Sequence, residues 1–152
     1  MKPIGVSFII ERQGSFVLQD LLYGVPIENF YWSIGMCELF SNALNETRFD
    51  ESYYNGNDFH KMVYQEAPGY FITLADFKAF PSKKSIINIT TLEEYLNSEC
   101  KIALFIVDSK YIAIYAKNIK ILQQIEKNAQ NKGFAEIEYF TKETDPRTGM
   151  AL

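Results

Sequence analysis

The segment from Lys101 to Thr141 constrains the fold most, because it encodes two apolar strands, an amphipathic helix and a final strand almost without interruption. The stretch KIALFIVDSKYIAIYAK predicts a β-hairpin with its turn at residues 108–110. That turn contains no Gly or Asn, which disfavours a tight primed turn. Asn118 is the predicted N-cap of the helix, and Gly133 lies where a left-handed terminator belongs.

The predicted order of strands and helices in the rest of the chain indicates the fold class. From Tyr70 the predicted order is strand, helix, strand, strand, helix, strand, which is the order of a ferredoxin-like α+β unit. Before it we predict a first strand over residues 4–10, a short helix after Gly14, and a second strand from Phe30 that bends or bulges at Gly35. We therefore predict an α+β fold with a single, mostly antiparallel sheet and helices packed on one face.

The length of the chain indicates one globular domain over residues 1–152, since a chain of this size buries about 70% of the surface that its unfolded form exposes. Residues 41–57 are polar, rich in Asn and without a sustained period, which indicates a long, mobile surface loop. Asn57 or Asp58 is predicted to cap the helix that follows. Residues 141–152 contain a Pro and a Gly and are predicted to form a short C-terminal tail.

Charge argues against binding to nucleic acid. The formal net charge is −4 and the sequence pI is about 5.1, whereas nucleic-acid-binding proteins concentrate Lys and Arg on one face to displace counterions from phosphates. The densest basic cluster is Lys78, Lys83 and Lys84, which we interpret as residues that keep a loop solvated. No nucleic-acid partner is therefore expected.

Hydropathy and cysteine usage predict a cytoplasmic protein without a membrane segment. No run approaches 18 apolar residues, and the apolar run at residues 4–10 is too short for the core of a signal peptide. Cys37 and Cys100 belong to no CxxC pair, and without a secretory signal a disulfide between them is not expected. Both are interpreted as small buried hydrophobic residues.

Few residues in this chain offer catalytic or cofactor chemistry. His60 is the only His, and one imidazole does not supply both a set of metal ligands and a catalytic base. The eight glycines stand singly, so the sequence contains neither a P-loop nor a dinucleotide-binding fingerprint. We therefore assign no catalytic residue, no metal ligand and no cofactor.

The aromatic content of 15%, with 12 Phe, 10 Tyr and one Trp, exceeds what packing alone needs, and we expect some of these rings at the surface. Tyr111 and Tyr115 share one face of their predicted strand, and Glu136 and Glu138 share one face of theirs. If the two strands adjoin, the four side chains form one surface that suits a basic partner. The alternative is an ordinary polar outer face of an antiparallel sheet.

Three stretches, YFITLADFKAFP, LFIVDSKYIAIYAKN and NAQNKGFAEIEYFTKETDPRT, resemble a family of short soluble bacterial proteins known only as a domain of unknown function. The likeness runs over most of the chain. It implies a bacterial, cytoplasmic origin and transfers no site residues.

The leading functional hypothesis is a non-enzymatic protein-binding or regulatory protein, of which a toxin-neutralising immunity protein is one subtype. A first alternative is a small-molecule enzyme or sensor that uses Asp76, Glu38 or His60 inside an aromatic pocket. A second is a structural homo-oligomer, in which a strand edge or the tyrosine-bearing face pairs with itself.

Overall fold

The computed structural model describes residues 2–152, in which four α-helices pack against one seven-stranded sheet. Short 3-10 turns occur at Ile27–Asn29 and Lys83–Ser85. In chain order the elements are β1 (Gly5–Ile9), α1 (Val17–Leu22), β2 (Tyr31–Ser41), β3 (Tyr53–Tyr54), α2 (Gly56–Val63), β4 (Tyr70–Phe80), α3 (Leu92–Asn97), β5 (Ile102–Val107), β6 (Tyr111–Ala116), α4 (Ile119–Asn131) and β7 (Ala135–Phe140).

The strands lie in the order β3-β2-β4-β5-β6-β1-β7, and each neighbouring pair is antiparallel. The predicted α+β class and single antiparallel sheet are confirmed. The predicted strand and helix order from β4 onward is present as well, but β4 pairs directly with β5, and the N-terminal strand β1 lies between β6 and β7. The first and the last strand of the chain, β1 and β7, are therefore neighbours in the sheet.

Both faces of the sheet are covered. Successive residues of its central strands point to opposite sides, and the residues on both sides are buried. In β5, Ile102, Leu104 and Ile106 pack with α1, α2 and α4 on what we call the helical face. Ala103 and Phe105 belong to a second cluster, with residues of α3 and of the C-terminal tail (residues 141–152), on what we call the tail face. The prediction that the helices pack on one face is right for α1, α2 and α4 but wrong for α3, which packs on the opposite face. Periodicity predicts that a helix has an apolar side but not which face of the sheet that side meets.

The bulge predicted at Gly35 lies within one continuous strand, β2. The register of β2 with β4 shifts between Ile34 and Met36, which leaves Gly35 as the additional residue beside Asp76. A Cβ atom at Gly35 would lie 2.8 Å from Asp76 Oδ2. A residue without a side chain is needed here because the carboxylate of Asp76 comes so close to the backbone.

The hairpin connection is looser than a two-residue turn, as predicted, because Val107 pairs with Tyr111 and three residues join the strands. Asp108 and Ser109 nevertheless both adopt positive φ, +53° and +61°, although neither is Gly or Asn. Contacts from distant residues hold this turn: the Ser109 amide donates to Thr73 O at 2.9 Å, and Gln13 Nε2 donates to Ser109 O at 2.9 Å.

The predicted ends of α4 are confirmed. The Asn118 side chain accepts a hydrogen bond from the Lys120 amide at 2.9 Å, and Gly133 adopts φ +71°. No helix within residues 2–152 is long and apolar enough to cross a membrane.

The segment 41–57 contains more structure than the prediction of a loop allows. Strand β3 and the start of α2 both fall inside it, and Arg48 and Phe49 are buried. The predicted helix cap at Asn57 or Asp58 is wrong, because Asn55 is the N-cap and its side chain accepts from the Asp58 amide at 2.8 Å. Mobility of this segment stays a prediction.

Candidate functional site

The four residues predicted to form a binding surface all lie on β6 and β7, but these strands do not adjoin. Strand β1 runs between them, so that Ser7 pairs with Ala113 of β6 on one side and with Glu138 of β7 on the other. The carboxylates are therefore one strand further from the tyrosines than direct pairing would place them. The sequence contains no pattern that reveals this insertion, because β1 is about 100 positions away from β6.

Three of the four residues nevertheless line one depression, which we call the acidic groove. It is a cavity of about 360 Å³ on the tail face, lined by Tyr111, Glu136 and Glu138, with Ser7 and Ala113 also in its lining. Tyr111 is 50% exposed, and both glutamates are exposed. The groove combines one amphipathic ring with two carboxylates, on strands that the sheet holds in place.

Tyr115 does not belong to this groove. It is fully buried, its hydroxyl donates to the Asp145 carboxylate, and its ring packs edge-to-face on Phe140 with centroids 4.9 Å apart. Burial, followed by the hydrogen bond to Asp145, raises the pKa of Tyr115 well above its usual value. The prediction that Tyr115 lies on an exposed binding surface is therefore wrong. The C-terminal tail covers this part of β6, and its Asp145 accepts the hydrogen bond of the Tyr115 hydroxyl.

The tail also supplies a groove residue that sequence reasoning missed. Arg147 lines the acidic groove, and its guanidinium lies 4.1 Å from the ring centroid of Phe105. Its Nε donates to Gly149 O at 3.1 Å. No periodic pattern in a tail of this composition indicates which residue faces the sheet, so only the path of the chain reveals this contact.

Within residues 2–152, no ion pair involves Glu136 or Glu138. Glu136 has a φ of +53°, next to the register shift between Ser7 and Ile9 in the pairing of β1 with β7. This irregularity does not separate the glutamates, since both side chains reach the groove. They are charged groups free to pair with a cationic group from outside the described chain.

A second depression on the tail face contains a buried ion pair. Lys78 Nζ lies 2.6 Å from Asp76 Oδ1, and both residues are buried. They line a cavity of about 300 Å³ together with Ser33, Tyr53 and the backbone around Leu152. The interpretation of Lys78 as a residue of a solvated loop is wrong, because it belongs to β4 and faces a covered side of the sheet. Lys83 and Lys84, which lie in the following turn, are exposed.

The three residues considered for an enzymatic pocket are not brought together. Asp76 lines the cavity just described, whereas Glu38 and His60 do not. The Glu38 carboxylate accepts a hydrogen bond from the Thr73 hydroxyl. His60 belongs to α2 on the helical face, where its Nε2 lies 3.8 Å from Glu28 Oε2.

The two thiols are unsuited to nucleophilic chemistry at neutral pH. Burial, with a smaller effect of Glu46, raises the pKa of Cys37 to about 12, and burial raises the pKa of Cys100 to about 11. Thiols with such pKa values are poor nucleophiles at neutral pH. Within residues 2–152 no group of three or more His, Cys, Asp or Glu residues is placed to hold a metal ion.

Comparison with known proteins agrees with the resemblance noted in the sequence. The family described as "Protein of unknown function (DUF2691)" matches residues 3–151. A Bacillus subtilis (strain 168) protein described as "Uncharacterized protein YncE" is 28% identical over 151 residues, which are 97% of this chain and 98% of the relative. No solved structure matches the chain. The predicted likeness to an uncharacterised bacterial family is confirmed.

Proposed function

The chain belongs to the DUF2691 family of proteins of unknown function, and from the acidic groove we propose that it is a non-enzymatic binding protein that holds a basic segment of a partner protein. The single observation that carries this proposal is the pair of exposed carboxylates, Glu136 and Glu138, facing one groove with the half-exposed Tyr111. A Lys or Arg side chain placed there would meet two carboxylates, whose charge the groove's own Arg147 offsets only in part, and an aromatic ring.

The character of the whole molecule supports this proposal. The net charge of −4 favours encounters with basic partners, because long-range attraction raises association rates. A toxin-neutralising immunity protein is one subtype that fits this charge, by analogy only. A cytoplasmic location is part of the proposal and is supported by the two unpaired thiols.

The experiment measures binding of an acetylated tetralysine peptide to the full chain by NMR titration at low salt. The double variant Glu136→Gln/Glu138→Gln should lower the affinity about tenfold, because two exposed charge pairs that contribute about 0.7 kcal/mol each amount to about 1.4 kcal/mol. Shifted amide signals in the unmodified protein should cluster on β1, β6 and β7.

The matched control is Glu93→Gln/Glu99→Gln, which removes the same charge from exposed positions outside the groove lining. This control should bind the peptide nearly as well as the unmodified protein. Equal losses in the two double variants would mean that only net charge attracts the peptide, and the proposal for the groove would then be rejected.

A further inference from the structure

The ion pair between Asp76 and Lys78 forms one wall of a cavity rather than closing off a solid core. Asp76 is 2% exposed and Lys78 is 7% exposed, and both line the cavity of about 300 Å³ on the tail face. Taking two charges out of water is costly unless their remaining hydrogen-bonding capacity is used. The partners of these two residues therefore indicate what the cavity is suited to hold.

The hydrogen bonds made within the chain leave capacity unused. Asp76 Oδ1 accepts from Lys78 Nζ at 2.6 Å, and Oδ2 accepts from the Leu152 amide at 3.1 Å. An ionised carboxylate has about four acceptor sites and an ammonium group three donors. Within residues 2–152, Lys78 Nζ has Asp76 as its only hydrogen-bond acceptor, and it lies 5.2 Å from the Phe105 ring centroid. A donor and an acceptor thus remain side by side at this cavity.

The surrounding backbone keeps this site open. The register places Ser33 opposite Lys78, and the bulge at Gly35 lies beside Asp76, where a Cβ atom would approach the carboxylate to 2.8 Å. The other walls are residues 86–89 and the end of the tail. The cavity thus combines apolar isoleucine side chains with the polar pair.

We infer that this cavity binds a small, neutral molecule that carries a primary carboxamide, with the carbonyl accepting from Lys78 and the amide N–H donating to Asp76. The pair is net neutral, so an ionic ligand would introduce an uncompensated charge next to buried groups. The chain already provides a partial precedent, since the Leu152 amide donates to the same carboxylate. The volume is at the lower end of known ligand sites, which favours a small ligand.

The test is an NMR titration of the full chain with propionamide, compared with propionate and propylammonium of the same size. We expect saturable shifts at the amides of Ser33, Lys78 and Asn88, with a Kd on the order of millimolar as suits so small a ligand. The two ions should bind at least about tenfold more weakly. Equal or tighter binding of propionate, or no saturation by about 100 mM propionamide, would overturn the inference.

Two variants test whether propionamide binds in the cavity beside Asp76 and Lys78. Ser33→Leu fills the cavity while both charges stay in place, and it should abolish the propionamide response. Asp76→Asn/Lys78→Met removes both charges together, leaves no unpaired buried charge, and should also abolish it. If either folded variant binds propionamide as tightly as the unmodified protein, the inference is wrong.

The control is Ser7→Leu, which places the same added bulk in the acidic groove. It should leave propionamide binding unchanged and weaken binding of the tetralysine peptide. The two cavities are therefore tested separately, and failure of one proposal leaves the other to be judged by its own probe.

Discussion

At the scale of single residues, buried polar side chains hold together parts of the chain that are far apart in sequence. The Asn128 side chain on α4 donates to Leu21 O at 3.1 Å and to Tyr23 O at 2.8 Å, which satisfies carbonyl groups at the end of α1. Arg48 is 5% exposed, donates to Pro68 O, and pairs with Glu46. Such groups stabilise the fold only while their partners are present, because an unpaired buried polar group costs on the order of 1–3 kcal/mol.

Glu46 provides a prediction with a defined pH dependence. Hydrogen bonds from Arg48 lower its pKa to about 2, against about 4.3 in an unfolded chain. The folded state therefore gains stability from ionised Glu46 above about pH 4.3, and this gain is lost as pH falls towards 2. Glu46→Gln should lower the free energy of unfolding at pH 7, and the difference from the unmodified protein should shrink progressively below about pH 4.3. Urea unfolding of both proteins at a series of pH values measures this difference in the free energy of unfolding.

The control for this prediction is Glu99→Gln, at an exposed position where the carboxylate makes no hydrogen bond within residues 2–152. Its unfolding free energy should match that of the unmodified protein at each pH. A Glu46→Gln deficit that stays constant down to pH 2 would show that lost packing, and not the ionised carboxylate, is responsible.

At the scale of elements, the strands and helices combine strong local signals with contacts between segments far apart along the chain. Strand β5 is apolar along its length because α1, α2 and α4 cover one side of it and α3 with the tail covers the other. Helix α4 presents Ile121, Leu122 and Ile125 to the helical face, as its apolar stripe predicts. Its N-terminal amides are partly satisfied by the cap Asn118.

Asn118→Ala should lower the free energy of unfolding by about 1 kcal/mol, because the amide of Lys120 loses its side-chain acceptor. The matched variant is Asn131→Ala at the exposed last residue of the same helix, which should change stability by less than about 0.5 kcal/mol. Equal effects in urea unfolding would contradict the capping role.

At the scale of the whole molecule, the C-terminal tail divides the tail face into two sites. Asp145 accepts from the Tyr115 hydroxyl, Arg147 lies over Phe105, and Met150 is fully buried in the second cluster. The acidic groove lies on the side of β7, and the cavity with Asp76 and Lys78 lies on the side of β2. Both proposed sites therefore depend on the docked tail for one of their walls.

Met150→Ala should destabilise the protein by about 2–5 kcal/mol, as is usual when a fully buried Met is truncated and a cavity remains. Met36→Ala provides the control, since Met36 is 38% exposed, and its effect should be much smaller. Chemical unfolding of the two variants side by side makes the comparison. Similar small losses in both would mean that the tail contributes little to the stability of the fold.

Much of the secondary structure could be predicted because its causes are local. The cap at Asn118 and the terminator Gly133 follow from hydrogen bonding or conformational freedom within a few residues. The predicted cap of α2 is wrong because Asn55 and its neighbours offer several competing polar side chains. Sequence alone does not rank such candidates, since each has the chemistry to accept from a helix amide.

The α+β class, the order of the elements from β4 onward and the acid pair follow from the amino-acid sequence alone, because they depend on short-range periodicity and charge. Other features appear only in the folded molecule: β1 separates β6 from β7, the tail buries Tyr115 and adds Arg147 to the groove, and Lys78 joins Asp76 inside a cavity. Each of these outcomes is a contact between segments far apart along the chain. Local propensity does not specify such contacts, since they are selected by the joint packing of both faces of the sheet.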